Sequence, residues 1–199
     1  MKVHQSHSST HNRTTQGEAG ANATSFQART IPLQLATTIN HGSATTIANP
    51  TNLSETLKVG TWMSAHLDPN DNQSGSKVSP NLSGPLQNLT LGSKRRYVQG
   101  HLLNSRVGGE GNDPVNLTPL SYSANGNHFQ KVEKEVINLV KGGNTVDYTV
   151  VPDYSGTPRG PVFGIENDIE RNFASSLNCT VVENGKTHKI PITNVPPYP

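Results

Sequence analysis

One cysteine, one tryptophan and an aromatic fraction of 5% stand against 18 glycines and 14 prolines in a chain of 199 residues. A lone thiol, Cys179, excludes an internal disulfide framework and any cysteine-only metal cluster, and it reads as a small buried residue rather than a nucleophile. No apolar run is long enough to span a bilayer, so no membrane association is expected. The stretch Lys2-Val3-His4-Gln5-Ser6-His7 has none of the apolar character of a signal peptide, so any export is expected to use a route that the sequence does not display. Strong charge is also missing. A formal net charge of +2 is too mild to mark a nucleic-acid binder by its total.

Glycine, serine, threonine and asparagine fill much of the chain, which favours loops and short elements and points to an irregular α+β domain. The hydrophobic fraction is only 31%, so part of the chain is expected to stay outside the core. Residues 1–28 have almost no large apolar groups and read as a flexible arm, with His4, His7 and His11 incidental. A domain over 29–195 follows. An apolar edge segment is expected at 31–35 and a polar stretch at 38–52. A strand is expected at 59–67, carrying Trp62, Met63 and Leu67 as core, with His66 at the surface. Pro80, Gly84 and Pro85 predict irregular chain up to residue 93, and a short strand at 96–99 ends at Gly100.

Gly108, Gly109 and Gly111 read as a tight crossover, since the lysine and hydroxyl pattern of a nucleotide-binding phosphate loop is lacking. Ser121 or Ser123 caps a helix over 124–140, with Phe129, Val132, Val136 and Leu139 as its buried stripe. Strands are expected at 145–151 and 162–165, and a helix at 169–177. A hairpin, 179–182 with 187–192, turns at Asn184-Gly185.

Chemistry concentrates between Gly100 and Glu133. Histidine is the side chain whose ordinary pKa lets it exchange a proton near neutrality, and His101 stands in the run Gly100-His101-Leu102-Leu103-Asn104 where a strand ends. Asn116-Leu117-Thr118-Pro119 comes next, then Asn125, His128 and Glu133 on the expected helix. At about 100° per residue, Asn125 and His128 share a face, whereas Glu133 is displaced from Asn125 by about 80°. A strand, a glycine-rich loop and a helix in this order can hold a hard cation through an amide oxygen and set an imidazole beside it. Few protein ligands leave several waters on the ion, as suits Mg²⁺. The imidazole would take a proton from water while the ion neutralises a phosphate oxygen and the leaving alkoxide. Lys94, Arg95 and Arg96 before this run, Arg106 after it, and Lys131 and Lys134 on the helix supply cations for a phosphate backbone. No helix or ribbon suited to reading base edges is evident, so low sequence specificity is expected.

This stretch resembles the DNA/RNA non-specific endonucleases of the ββα-metal (His-Me finger) superfamily, and more closely the toxin-type nuclease domains of bacterial effectors with a Gly-His-Leu-Leu-Asn segment. The likeness runs through Val98 to Asn104, Gly108-Gly109-Glu110-Gly111, Asn116 to Pro119, and Ala124-Asn125 to Glu133. It also takes in Trp62 to Pro69 and Gly75-Ser76, and covers roughly residues 58–155. The resemblance implies a ββα-metal core with a small antiparallel sheet and a metal-site helix. It implies that His101 is the general base, that Asn125 is the metal-binding amide, that Glu133 orients water at the metal, and that Asn116 braces the histidine loop. Mg²⁺, with Mn²⁺ as substitute, is the implied cofactor.

DNA, and RNA as a second substrate, are the implied partners. The implied setting is an antibacterial or injected effector, made in a bacterial cytoplasm, exported by a specialised system and met by an immunity protein or a carrier. Well-known members precede Gly-His with Asp-Arg, where this chain has Val98 and Gln99. The phosphate-stabilising arginine is then left to Arg95, Arg96 or Arg106, with Asn104 as a further substrate contact and His128 as an extra polar group behind the site. Two alternatives remain open at this point. One is an inactive nuclease-like domain that binds nucleic acid or protein; the other is cargo or scaffold of a delivery system, engaged through residues 1–28.

Overall fold

Alternating apolar and polar residues build the largest sheet of the computed structural model, which describes residues 36–49, 52–71, 74–87, 90–91, 94–95, 97–156 and 172–195. The expected arm, the segment at 31–35 and the strand at 162–165 lie outside these residues. In chain order the strands are β1 (Thr38–His41), β2 (Thr45–Asn49), β3 (Asn52–Val59) and β4 (Met63–Leu67), followed by helix α1 (Pro80–Gln87). Next come β5 (Thr90–Leu91), β6 (Lys94–Arg95), β7 (Tyr97–His101) and β8 (Leu117–Ser121). Helices α2 (Tyr122–His128) and α3 (Lys134–Lys141) are joined by a π-helical turn, Phe129–Glu133. The chain then forms β9 (Val146–Asp153), β10 (Ser176–Glu183) and β11 (Lys186–Thr193).

Five strands pair antiparallel in the order β1-β4-β9-β10-β11. Every second residue of β4 and β9 is buried up to Pro152, among them Met63, Ala65, Leu67, Val146, Tyr148 and Val150. Together with Leu177, Cys179 and Val181 of β10 they pack against Ala124, Val132, Val136 and Ile137 of the helical segment. Each large apolar side chain buried here contributes about 1.5–3 kcal/mol. A smaller cluster joins Ile47, Leu57 and Val59 to Leu86, Tyr97 and Phe173, the last two rings meeting edge to face at 4.9 Å.

Several expectations are corrected. The single strand at 59–67 is two, because the Gly60 backbone leaves the ladder: its N–H donates to the Leu117 carbonyl at 2.7 Å and its carbonyl accepts from the Tyr154 hydroxyl at 2.9 Å. Trp62, in that break, is 39% exposed rather than core. The polar stretch at 38–52 carries β1, β2 and the start of β3, where β-branched threonines fit the pleat. Helix α1 occupies chain expected to be irregular; Pro80 is its first residue, a position whose missing N–H needs no partner. Residues 176 and 177 belong to β10 rather than a helix, which turns Leu177 into the core. The expected hairpin is present, with Asn184 and Gly185 both at positive φ.

Candidate active site

The candidate site is built on β7, β8 and α2. The strands pair antiparallel with Gly100 opposite Thr118 and His101 opposite Leu117. Ser121 ends β8 and caps α2, its hydroxyl accepting from the Ala124 N–H at 3.1 Å. Asn194, whose role gave no signal in the sequence, clasps this junction. Its Oδ1 accepts from the Ser121 N–H at 2.7 Å, and its Nδ2 donates to the Pro119 and Ala174 carbonyls.

Fixing α2 in this way brings Asn125 over β7. A Cβ added to Gly100 would collide with the Leu120 side chain and would lie 3.0 Å from Asn125 Oδ1. Gly100 therefore lets the amide oxygen approach the strand beside His101, which is the close-approach use of glycine.

His101 is half-buried, and its Nε2 lies 3.0 Å from the Ser76 carbonyl oxygen. A carbonyl only accepts, so Nε2 carries the proton and Nδ1 is left with a lone pair. Burial pushes the imidazole pKa down, while the Ser76 carbonyl and the charge of Glu110 pull it partly back. The result is a neutral ring at pH 7, able to accept a proton at Nδ1.

The loop after His101 is laid along the helix. Asn116 is fully buried, and its side chain bridges that loop: Oδ1 accepts from the Leu103 N–H at 2.8 Å, and Nδ2 donates to the Leu103 and Glu110 carbonyls. His41 Nε2 approaches the same Oδ1 at 3.3 Å, a contact across 75 residues that no local pattern signals. The Asn116 amide is thus engaged by main chain of the loop through both its oxygen and its nitrogen. Asn104 caps the 3-10 turn Ser105–Val107 by accepting from the Arg106 N–H at 3.0 Å, and its Nδ2 donates to Glu133 Oε2 at 3.1 Å. The exposed Arg106 guanidinium stands 5.8 Å from the centroid of the Phe129 ring.

The π turn changes the angular relation expected from a regular helix. One extra residue per turn rotates the downstream side chains by about 100°, turning the 80° offset of Glu133 from Asn125 into about 20°. Asn125, Phe129 and Glu133 thus succeed one another along one side, and His128 comes close to Glu133, with Nδ1 and Oε1 3.9 Å apart. Both of these atoms are buried without a hydrogen-bond partner. His128 Nε2 meets the Tyr148 hydroxyl at 2.7 Å. Burial is the main force on both groups, holding the Glu133 carboxyl up at about 7 and the His128 imidazole down at about 3. Below neutrality the pair is therefore uncharged and is not an ion pair.

Stability therefore depends on pH through Glu133. Its folded pKa is raised from 4.5, so its contribution is fully present below 4.5 and is lost as pH rises through about 7. Glu133→Gln removes this loss. In urea unfolding, its stability relative to the unaltered protein is expected to increase between pH 4.5 and 7; a difference that does not change with pH contradicts the assignment.

The structure thus brings His101, Asn104, Arg106, Asn116, Asn125, His128 and Glu133 into one region, where the loop after His101 runs beside the helical segment. Arg95 lies in β6, in a separate two-stranded sheet with β5, and Arg96 is outside the described residues. Among the described residues no group of three or more His, Cys, Asp or Glu side chains is placed to hold a metal. Ser76, Tyr148, His41 and Asn194 are participants whose roles had no signal in the sequence.

A family model described as DNA/RNA non-specific endonuclease matches residues 55–163. Among solved structures, NucA from Streptococcus agalactiae with no metal bound has a TM-score of 0.52 at 14% identity, covering 82% of this chain and 73% of that one. The same protein with magnesium bound has a TM-score of 0.52 at 12% identity, with the same coverage. No curated protein matches. At these identities the structural likeness speaks for the fold.

Proposed function

The chain belongs to the DNA/RNA non-specific endonuclease family, and we propose that it hydrolyses phosphodiester bonds of DNA, and of RNA as a second substrate, with little sequence preference and with Mg²⁺ or Mn²⁺ as cofactor. The observation that carries this reading is the approach of Asn125 Oδ1 to Gly100, next to a histidine whose Nδ1 holds a lone pair.

His101 Nδ1 takes the proton of the attacking water as the new P–O bond forms and a P–O ester bond breaks. Asn125 offers a single hard, neutral oxygen. That donor, with no cluster of acidic or thiol ligands among the described residues, suits an octahedral ion that keeps most of its waters and does not suit a four-ligand zinc site. When bound there, the ion supplies positive charge to the phosphate oxygen and the leaving alkoxide. Asn116 and Asn104 hold the histidine loop against the helix, and Asn104 also holds Glu133, the carboxylate assigned to orienting water.

Arg106 is assigned as the cation that replaces the arginine missing at Gln99; the support is that its exposed guanidinium stands 5.8 Å from the Phe129 ring centroid, on the turn that follows the histidine loop. Arg95 and Arg96 are assigned to more distant phosphates. Arg106→Ala is expected to weaken oligonucleotide binding and to reduce the slope of log K against log salt by about 1; an unchanged slope removes Arg106 from the phosphate contact.

The Gly-His-Leu-Leu-Asn run supports an exported antibacterial effector, met by an immunity protein, with residues 1–28 as an arm toward its carrier and 29–195 as the nuclease domain. No helix among the described residues is long and apolar enough to cross a membrane. Expression in a bacterial cytoplasm is expected to arrest growth, and His101→Ala to relieve the arrest; equal growth with both forms counts against an effector.

A plasmid-nicking assay tests the activity itself. Cleavage is expected with Mg²⁺ or Mn²⁺ and is expected to stop on chelation. Inactivity with both ions, together with retained DNA binding, would instead favour a binding domain.

A further inference from the structure

His101 depends on a backbone carbonyl from chain without regular secondary structure. Residues 74–79 lie in no helix or strand, yet they supply the acceptor for His101 Nε2. Ser76 is the point at which this strap is tied down. Its N–H donates to the Gly109 carbonyl at 3.1 Å, its Oγ donates to Glu110 Oε2 at 2.6 Å, and the same Oγ accepts from the Gly111 N–H at 2.8 Å. On either side, Gly75 N–H donates to the Ser105 carbonyl at 2.7 Å and Ser79 N–H to the Gly111 carbonyl at 2.9 Å. Four hydrogen bonds thereby stitch the strap to the glycine-rich loop and a fifth ties it to Ser105, and Ser76 makes three of the four.

We propose that Ser76 and Glu110 are positioning residues for His101: the Ser76 hydroxyl, held by the Glu110 carboxylate and the Gly111 N–H, sets the carbonyl that fixes the imidazole ring. This rests on the reading of His101 as the base. A ring free to flip presents Nδ1 and Nε2 in turn, and only one orientation aims the lone pair at the attacking water. Holding that ring from its other nitrogen is the logic by which a third group orients a catalytic base. Here the third group is a main-chain carbonyl, so the side chains that matter are those that immobilise it. Neither Ser76 Oγ nor Glu110 is assigned a contact with substrate.

The 199-residue chain carrying Ser76→Ala, Ser76→Thr or Glu110→Ala provides the test, with two readouts. The first is the Nε2–H proton resonance of His101 in metal-free protein, assigned by its loss in His101→Ala. The second is kcat and KM for plasmid cleavage with Mg²⁺. Ser76→Ala and Glu110→Ala, which remove the donor and the acceptor of the Ser76–Glu110 bond, are expected to lose the protected resonance and to lower kcat by about tenfold to a hundredfold, as misplacement of a base does, with KM within about twofold. Ser76→Thr, which keeps the hydroxyl, is expected to restore both. Glu110 is exposed, so Glu110→Ala keeps the test decisive even where a change at Ser76 disturbs folding. A resonance that persists in Glu110→Ala, or a KM that rises while kcat holds, overturns the proposal. If the unaltered protein does not cleave, the nuclease reading fails, yet the resonance still decides whether Ser76 and Glu110 hold the ring.

Discussion

Replacing His101 by alanine is expected to lower metal-dependent cleavage by about a thousandfold while the protein stays folded, the middle of the range for losing a general base. Burial keeps this imidazole neutral and the Ser76 carbonyl occupies its Nε2, so the free lone pair on Nδ1 is what the alanine variant lacks. The cost to stability is small by comparison, about 1 kcal/mol, because one hydrogen bond is lost to a carbonyl that is not deeply buried. Circular dichroism and urea unfolding check the fold, and nicking of plasmid DNA checks the rate. Cleavage within about tenfold of the unaltered protein, below the usual range for such a loss, would mean that another group removes the proton.

Asn125→Ala is expected to produce the second large effect, a loss of about a hundredfold or more in cleavage at fixed Mg²⁺, several kcal/mol of transition-state charge stabilisation being at stake. The half-maximal Mg²⁺ concentration should move upward. Alanine is a good helix former and Asn125 is only half-buried, so α2 should persist. Asn125→Asp keeps an oxygen and adds a negative charge. It should bind the ion but leave it a weaker electrophile, recovering part of the activity. The informative measurement is the Mg²⁺ titration of all three forms; superimposable curves would take Asn125 off the metal.

The elements behind these two effects were legible in the sequence to different degrees. The strand pair β10–β11 and its Asn184-Gly185 turn could be read because a period of two and a positive-φ dipeptide are local properties. The helix after Ser121 was legible for the same reason, and so was the order of Gly100, His101 and Asn125. Its interruption was not. A π turn depends on how a helix packs; it swings Glu133 toward the side of Asn125, and it buries Ile137 with Val132 and Val136 while Phe129 and Leu139 of the expected stripe are only half-buried. Helix α1 was hidden by Pro80, which marks a helix start as readily as a loop, and by Gly84 and Pro85 within it.

Contacts between distant residues were also hidden. Ser76 meets His101 across 25 residues, His41 meets Asn116 across 75 and Asn194 meets Ser121 across 73. Each is a polar residue in chain that reads as surface loop or half-exposed strand. Only folding shows that Asn116 and Asn194 are fully buried, each paired with main chain. Trp62 failed in the opposite direction: the alternation that buries Met63, Ala65 and Leu67 turns Trp62 to the other face, with Ser64 and His66.

A crystal structure of His101→Ala with Mg²⁺ and an uncleaved oligonucleotide bears on all of this most directly. The nuclease reading predicts an ion about 2.1 Å from Asn125 Oδ1, touching a phosphate oxygen, with the vacated imidazole position facing the same phosphorus. An ion held elsewhere, or a phosphate that approaches only one of these two positions, would contradict it.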